Sequence, residues 1–301
     1  MRRFTNKKGL SESWLRVAKF YIDSYDKVGW RSATQLIDSP RIALLTERHE
    51  DEIVVDISDY IFMILGSAIH GILDAAADHK AITEQRITTK ILGKEVSMKA
   101  DRIEEISDTN PKEYCIVDYK ITKVASWQYG PKEAHQAQVN IYNLGYHREM
   151  NLNITKARLE MLLRDYSVID SIKSPHNYPD AEVMPVPIEL IDQSSTEEYL
   201  EERVKLFMEA EGCTDHNLPF CTDAERWARP EKWAYQKRGA ARATRVCTTQ
   251  AEAQALLDKK SANERSKYEV VHRPGENVRC ERYCAVAPWC NQYYAHLNPA
   301  F

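Results

Sequence analysis

Two residues of opposite charge, Asp118 and Lys120, lie two positions apart in the largely apolar stretch 115–121. This stretch predicts a β-strand, on which side chains two positions apart point to the same face. Asp101, in the predicted strand 95–106, supplies a second carboxylate. Two carboxylates beside a lysine suit metal-dependent hydrolysis of a phosphodiester, because hard divalent cations prefer oxygen ligands and an ammonium group offsets charge that develops on the phosphate. Taken alone, Asp118-x-Lys120 is also typical of an exposed strand face.

The segment before these strands, residues 58–79, has apolar residues at helical spacing and predicts a mostly buried helix with Ser58 as its cap. It contains His70, one turn after Gly66. A histidine on an apolar helix is more often a hydrogen-bonded core residue than a metal ligand. The histidine therefore indicates a metal site only if the carboxylates lie next to it.

The segment after the strands, residues 131–150, predicts a second helix with a proline in its first turn. Gln138 and Tyr142 lie one turn apart on it and so share a face. Such a pair is common on ordinary helix surfaces. Its interest comes from its place after the strand that carries Lys120.

The ordered set resembles the PD-(D/E)XK nuclease superfamily, and most closely its RecB-like branch, which includes CRISPR-associated RecB-like exonucleases and many phage exonucleases. That branch carries a G-x-x-x-H helix, an Asp strand, a D/E-x-K strand and a Q-x-x-x-Y helix. These motifs read here, in the same order, Gly66 to His70, Asp101, Asp118 to Lys120, and Gln138 to Tyr142. The resemblance covers roughly residues 32–166. It implies an α/β fold, in which a central mixed β-sheet is flanked by helices as in restriction endonucleases.

The resemblance also implies roles for these residues. Magnesium or manganese would be bound by three side chains and one backbone carbonyl, those of His70, Asp101, Asp118 and Tyr119. Lys120 would serve the attacking water, and Gln138 and Tyr142 would hold the DNA backbone near the metal. Two positions depart from the family pattern: Ala100 replaces its proline, and Asp118 stands where glutamate is frequent. Neither change removes an oxygen ligand, and Glu84, in the predicted strand 82–90, is interpreted as a solvated residue rather than a further acid.

The carboxyl-terminal region carries three of the seven cysteines in a Cys-x3-Cys-x5-Cys run, Cys280, Cys284 and Cys290. We find no signal peptide and no stretch that approaches transmembrane length, which predicts no membrane association and a reducing compartment, the cytoplasm (the host cytoplasm if the protein is phage-encoded). Clustered thiols there more often hold metal than form disulfides. The spacing fits either zinc or an iron–sulfur cluster.

RecB-like nucleases of the CRISPR-associated and AddB types end in a cysteine triplet that, with one distant cysteine, binds a four-iron cluster. The resemblance therefore implies a 4Fe-4S cluster, with zinc as the alternative. We choose Cys221 as the fourth ligand over Cys213, Cys247 and Cys115. In the CRISPR-associated members the distant cysteine precedes the catalytic core, whereas Cys221 follows it.

Between these cysteines, residues 228–272 predict a basic ββα unit, with strands at 232–236 and 242–247 and a helix at 249–259. Residues 226–245 hold seven basic residues and one acid. Trp227, Trp233 and Tyr235 lie among them. Basic side chains can neutralise phosphates and aromatic rings can stack on unpaired bases, so the unit is either a surface that guides a DNA strand or a solvated hairpin with ordinary core aromatics.

A chain of 301 residues with 43% hydrophobic content can bury one large core and a small second unit. We expect a nuclease core with an N-terminal helical cover over residues 1–212, and a cysteine-rich region over 213–301. The net charge of −4 does not exclude a nuclease, because an acidic metal site offsets basic patches that contact DNA.

The favoured function is a metal-dependent DNA nuclease, by resemblance an exonuclease that processes phage or mobile-element DNA, with a recombinase or single-strand-binding protein as a further partner. The alternatives are a degenerate nuclease that only binds DNA and a zinc-stabilised interaction protein. The joint presence of Asp101, Asp118 and Lys120 argues against the first alternative. The second leaves Gln138 and Tyr142 unexplained.

Overall fold

The computed structural model describes residues 3–23, 28–108 and 110–297. Backbone contacts divide the chain into two compact units, Met1–Thr214 and Asp215–Phe301. The division expected from the sequence falls between residues 212 and 213. Each unit is described separately below.

The first unit is a mixed α/β structure, as the sequence predicts. Its strands are β1 Arg3–Thr5, β2 Arg31–Ser32, β3 Val54–Asp56, β4 Ala81–Thr83, β5 Arg86–Ile91, β6 Lys94–Lys99, β7 Arg102–Glu105, β8 Tyr114–Thr122, β9 Ile154–Leu163 and β10 Val183–Pro187. Its helices are α1 Glu12–Asp23, α2 Ala33–Ile37, α3 Pro40–Arg48, α4 Ile61–Ala75, α5 Val124–Gln128, α6 Glu133–Met150, α7 Val168–Lys173 and α8 Gln193–Glu211.

The central sheet has the strand order β10-β9-β8-β7-β4. Strands β8 and β9 are parallel and are joined through α6, while the other neighbours are antiparallel. A second sheet, β2-β6-β5, contains a hairpin whose two-residue turn is Leu92-Gly93. Both turn residues have positive φ, which matches the twist of a tight hairpin. The pairing of Ile91 with Lys94 across it fixes the register of β5 and β6.

Helix α6 packs against β5, β6, β8, β9 and α8, and the main core lies around it. Ile141 and Leu144 of α6 are fully buried. At Gly145 the helix approaches the sheet so closely that a Cβ atom would lie 2.2 Å from the sulfur of Met98. A side chain at this position would displace the buried Met98 side chain, so the absence of one lets α6 lie close to β6.

Helix α4 differs from the sequence prediction. It follows a 3₁₀ turn, Ile57–Tyr60, whose cap is Asp56, because the Asp56 side chain accepts a hydrogen bond from the backbone N–H of Ser58. No described residue of α4 is buried, and Phe62 and Ile72 are 61% and 64% exposed. The predictions of Ser58 as the cap and of a buried helix are both wrong, since an apolar sequence does not reveal which other elements cover it.

By length and composition Ile57–Ala75 could cross a membrane, and 6% of its most apolar window is buried inside the structure. The expectation that no stretch approaches transmembrane length is therefore wrong by this criterion. No other helix within the described ranges meets it. One such helix is weak evidence of a span, and a soluble protein is compatible with the structure. The proline-containing segment 171–187 includes the end of α7 and the edge strand β10, whose prolines are tolerated at a sheet edge.

The second unit is small. Its strands are β11 Ala228–Arg229, β12 Lys232–Lys237, β13 Arg245–Cys247, β14 Tyr268–Arg273 and β15 Glu276–Asn277. Its helices are α9 Asp223–Arg226, α10 Gln250–Asp258, α11 Ala262–Arg265, α12 Val278–Arg282 and α13 Asn291–Leu297. The predicted ββα unit is present and consists of β12, β13 and α10. The prediction omitted a third strand, β14, which joins the sheet and places β12 at its centre in the order β13-β12-β14.

Candidate functional site

The site begins at two breaks in strands that the sequence predicts as continuous. The predicted strand 82–90 is broken between β4 and β5 at Glu84, and the predicted strand 95–106 is broken between β6 and β7 at Asp101. The two breaks lie together, since the Glu84 N–H donates to the Asp101 carbonyl over 3.3 Å. Glu84 has a φ of +49°, a conformation that an L-residue adopts only under local constraint.

His70 of α4 lies between the two carboxylates. Its Nδ1 is 3.4 Å from Oδ1 of Asp101 and 3.8 Å from Oε1 of Glu84. One ligand atom from each of these three residues lies within 4.8 Å of the others. Glu84 also forms an ion pair with Lys99. The interpretation of Glu84 as a solvated residue is therefore wrong; only the tertiary fold, which turns the backbone at the break, brings it to the site.

Asp118 and Lys120 project to the same face of β8, as the strand period predicts. Oδ2 of Asp118 lies 2.6 Å from Nζ of Lys120. The pairing of β7 with β8 ends at Arg102 and Val117. Beyond that point the N–H of Tyr119 donates to Oδ2 of Asp101 over 2.8 Å, so this carboxylate takes the place of the missing strand. The ring of Tyr119 meets His70 edge to face, with centroids 5.8 Å apart.

Helix α6 brings Gln138 and Tyr142 to the same place. Nε2 of Gln138 donates to Oδ1 of Asp118 and is 3.0 Å from the Tyr142 hydroxyl, and Oε1 of Gln138 lies 3.5 Å from Nζ of Lys120. Gln138 therefore contacts the charged pair directly, and Tyr142 contacts Gln138. Gly66, the first residue of the histidine motif, has open space around a hypothetical Cβ atom, so packing does not require glycine there.

The electrostatics of the site separate its acids into two kinds. Hydrogen bonds to Asp101 and then Glu84 raise the pKa of His70 to about 10, despite the opposing effect of burial. The same pairing with His70, and then with Lys99, lowers the pKa of Glu84. Burial raises the pKa of Asp118, although Lys120 opposes the rise. Without a metal, the site thus holds an imidazolium between two carboxylates, and next to it a carboxyl group that is costly to ionise.

The donor set fits a divalent cation. Asp118 is 1% exposed, and its Oδ2 lies 2.6 Å from the Lys120 ammonium, the one charged partner of this oxygen among the described residues. A divalent cation would add further positive charge beside this buried carboxylate. Three carboxylates and one imidazole are ligands that magnesium and manganese accept. His70, Glu84, Asp101 and Asp118 all line one cavity of about 290 Å³, together with Lys120, Gln138 and Tyr142.

The cysteines of the carboxyl-terminal run lie within the second unit. Burial and the neighbouring thiols of Cys284 and Cys290 raise the pKa of Cys280. Burial raises the pKa of the Cys284 thiol. Hydrogen bonds from the backbone N–H groups of residues 286 and 287 oppose this rise. Such N–H groups are typical partners of a ligating thiolate.

Cys221 is tied to the same region. The Gln292 side chain accepts a hydrogen bond from the Cys221 N–H and donates to its carbonyl, over 2.8 and 2.9 Å. Gln292 is two residues from Cys290. In the other unit, Cys115 is buried beside Arg158, and the sulfur of Cys213 lies against the carbonyl of Glu209. Cys247 is buried in β13, opposite Trp233.

Zinc and an iron–sulfur cluster place different demands on these thiols. Tetrahedral zinc with Zn–S bonds of about 2.3 Å needs sulfurs about 3.8 Å apart. Among the described residues, no three cysteine sulfurs lie within 4.8 Å of one another. Within the described residues, the thiols are therefore not arranged as a preformed zinc site.

The aromatic residues of the basic unit are mostly structural. Tyr235 is 5% exposed and stacks on Tyr268 with centroids 5.0 Å apart. Trp233 packs on His272 at the same distance. Tyr235 is therefore a core aromatic, whereas Trp233 is half-buried. Trp227 remains 48% exposed. The side chains of Lys237 and Arg238 are exposed, and Arg238 donates to the Ser266 carbonyl.

Comparisons with known proteins give little guidance. No family model matches the chain, and no curated protein matches it. Seven solved chains match. One of them, the crystal structure of SSO0001, is 17% identical in sequence to this chain. The match spans 64% of this chain and 84% of that one. Its TM-score of 0.43 is too low to support an argument about function.

Proposed function

We propose that this protein is a metal-dependent deoxyribonuclease of the PD-(D/E)XK superfamily, RecB-like branch. The observation that supports this most directly is the meeting of His70, Asp101 and Asp118 with Lys120 in one cavity. These residues come from a helix, a strand break and a strand that are far apart in sequence. A protein that only binds DNA has no need to concentrate a buried carboxylate and a lysine there.

In this proposal His70, Asp101 and Asp118 hold magnesium or manganese, with the Tyr119 carbonyl, and Glu84 joins them as a further oxygen ligand. The bound cation would polarise the scissile phosphate and lower the pKa of a water molecule. Lys120 positions that water and stabilises the charge that develops on the phosphate. Gln138 keeps Asp118 and Lys120 in place and, with Tyr142, faces the DNA backbone. His70 must lose its proton before its nitrogen can act as a ligand.

We further propose that Cys221, Cys280, Cys284 and Cys290 hold a 4Fe-4S cluster with a structural role. The hydrogen bonds between Gln292 and Cys221 support the choice of this cysteine over Cys213, Cys247 and Cys115. The partner is DNA, the setting phage or mobile-element DNA processing in the cytoplasm, and the activity an exonuclease. A recombinase or single-strand-binding protein is proposed as a further partner on the same basis of resemblance.

The test is incubation of the purified protein with end-labelled single-stranded and double-stranded DNA, with manganese or with EDTA. Asp118→Ala and Lys120→Ala should abolish degradation while leaving the circular dichroism spectrum and DNA binding intact. Full activity of the Asp118→Ala protein would end the assignment of this site. If the folded parent binds DNA but degrades none of the substrates with any divalent metal, the DNA-binding alternative takes its place.

A further inference from the structure

Beside the proposed metal ligands, the same cavity has a basic wall built by the β5–β6 hairpin. Arg86 and Lys99 are paired across the two strands, so their side chains project from the same face. Ser97 is two positions before Lys99 on β6 and shares that face. All three residues line the cavity. The nuclease motifs do not include any of them.

Two of the three polar groups of this wall, those of Arg86 and Ser97, lack the partners that a purely structural role would supply. Within the described part of the chain, Arg86 forms no ion pair with a carboxylate. Ser97 is 1% exposed, and its Oγ has no hydrogen-bond partner among the described residues. A buried hydroxyl without a partner is costly unless a ligand or water satisfies it. Among the described residues, Lys99 is paired with Glu84 alone, and Glu84 also faces His70.

We propose that Arg86, Lys99 and Ser97 form a subsite for a terminal phosphate group of the DNA substrate. A phosphate monoester carries between one and two negative charges and three strong acceptor oxygens. A guanidinium, an ammonium and a hydroxyl supply three kinds of donor and two positive charges, which match such a group better than the single charge of a phosphodiester. The subsite would hold the end of the chain next to the residues that hydrolyse it.

Glu84 links the subsite to the metal ligands, because its carboxylate is shared between Lys99 and His70. While Glu84 is paired with Lys99, it competes with a phosphate for the ammonium group. Removing the charge of Glu84 should therefore strengthen phosphate binding. This gives the proposal a readout that does not depend on hydrolysis.

The substrate class named here rests on the proposed nuclease function, and the experiment separates the two. Fluorescence anisotropy would measure binding of DNA duplexes that carry a 5′-phosphate, a 3′-phosphate or only hydroxyl ends, in EDTA and in calcium. We expect the parent to bind one of the phosphorylated duplexes at least about tenfold more tightly than the hydroxyl duplex, which corresponds to a single charge-assisted hydrogen bond. The end that is preferred identifies the phosphate.

Arg86→Gln, Lys99→Gln and Ser97→Ala should each reduce this preference while retaining binding to the hydroxyl duplex. Glu84→Gln should increase the preference in EDTA. Lys90→Gln is the matched control, because Lys90 is an exposed lysine of the same hairpin that does not line the cavity. Equal affinity of the parent for all three duplexes would overturn the proposal, as would an equal loss for every duplex in the three variants, which would indicate an internal phosphate.

A parallel assay with manganese keeps the two ideas distinguishable. Cleavage that is insensitive to the terminal group would overturn the subsite and leave the nuclease function intact. A preference for phosphorylated ends without any cleavage would support the subsite and contradict the nuclease function.

Discussion

Gln138 and Asp118 are joined by a hydrogen bond of 3.0 Å from Nε2 to Oδ1, which connects α6 to β8 at the centre of the candidate site. The same amide lies 3.0 Å from the Tyr142 hydroxyl, and its oxygen faces Lys120. One neutral side chain thus contacts the acid, the base and the tyrosine.

Gln138→Ala is expected to lower the rate of metal-dependent DNA cleavage by about one to two orders of magnitude, because small displacements of reacting groups have effects of that size. Metal affinity should change little, since the amide is not a proposed ligand. Single-turnover rates at saturating manganese measure the first effect, and calorimetry measures the second. Gln136→Ala is the control, because Gln136 lies on the same helix but donates to the Glu189 carbonyl. Equal rates for both variants would contradict a positioning role.

Asp118→Asn should abolish cleavage and leave the melting temperature of the metal-free protein unchanged or higher. Burial raises the pKa of Asp118, so its ionised form destabilises the folded protein near neutral pH. The amide keeps the shape and removes the buried charge. Calorimetric melting in EDTA at pH 7 measures the effect. A clearly lower melting temperature would show that the pairing with Lys120 outweighs the cost of burial.

The stability of the metal-free protein should depend on pH through His70, whose pKa in the folded state is raised to about 10 from 6.5. Below pH 6.5, the pKa of His70 in the unfolded protein, His70 is protonated in both the folded and the unfolded state, and its stabilising effect is fully present. As the pH rises further, only the folded state keeps the proton, so the stabilisation declines and is lost above about 10. In EDTA, the melting temperature of the parent should therefore fall toward that of His70→Gln between these limits. A difference in melting temperature between the parent and His70→Gln that stayed constant with pH would contradict the raised pKa of His70. His147→Gln is the control.

Tyr235→Phe should be neutral or stabilising. The Tyr235 hydroxyl is buried, and no partner for it is found among the described residues, so its removal ends a desolvation cost of about 1–3 kcal/mol. The stacking on Tyr268 is retained in phenylalanine. Chemical denaturation monitored by circular dichroism measures the change. Tyr268→Phe is the comparison, and a large destabilisation by Tyr235→Phe alone would reveal a partner for the hydroxyl.

Protein purified without oxygen should be brown and contain iron and acid-labile sulfide. Cys284→Ser should be colourless, less soluble and lower melting, because a cluster that closes the loop from residue 221 to residue 290 restricts the unfolded chain. Cys221→Ser should also lose iron, and Cys213→Ser should keep it. Colourless parent protein with stoichiometric zinc would contradict the cluster. Full iron in Cys221→Ser would move the fourth ligand to Cys213 or Cys247.

The sequence by itself determined the local features that depend on short-range periodicity. The face shared by Asp118 and Lys120 follows from the two-residue period of a strand, and the face shared by Gln138 and Tyr142 follows from the helical turn. These features could be read without knowing what the elements pack against.

Only the tertiary structure decided which residues meet at the site. Glu84 and Asp101 reach it because two strands break where their backbones hydrogen-bond to each other, which no local period predicts. Lys99, Arg86 and Ser97 line the cavity because of strand register and the position of α6. The exposure of α4 and the burial of Tyr235 were likewise not predictable, because burial depends on the neighbours that the whole chain supplies.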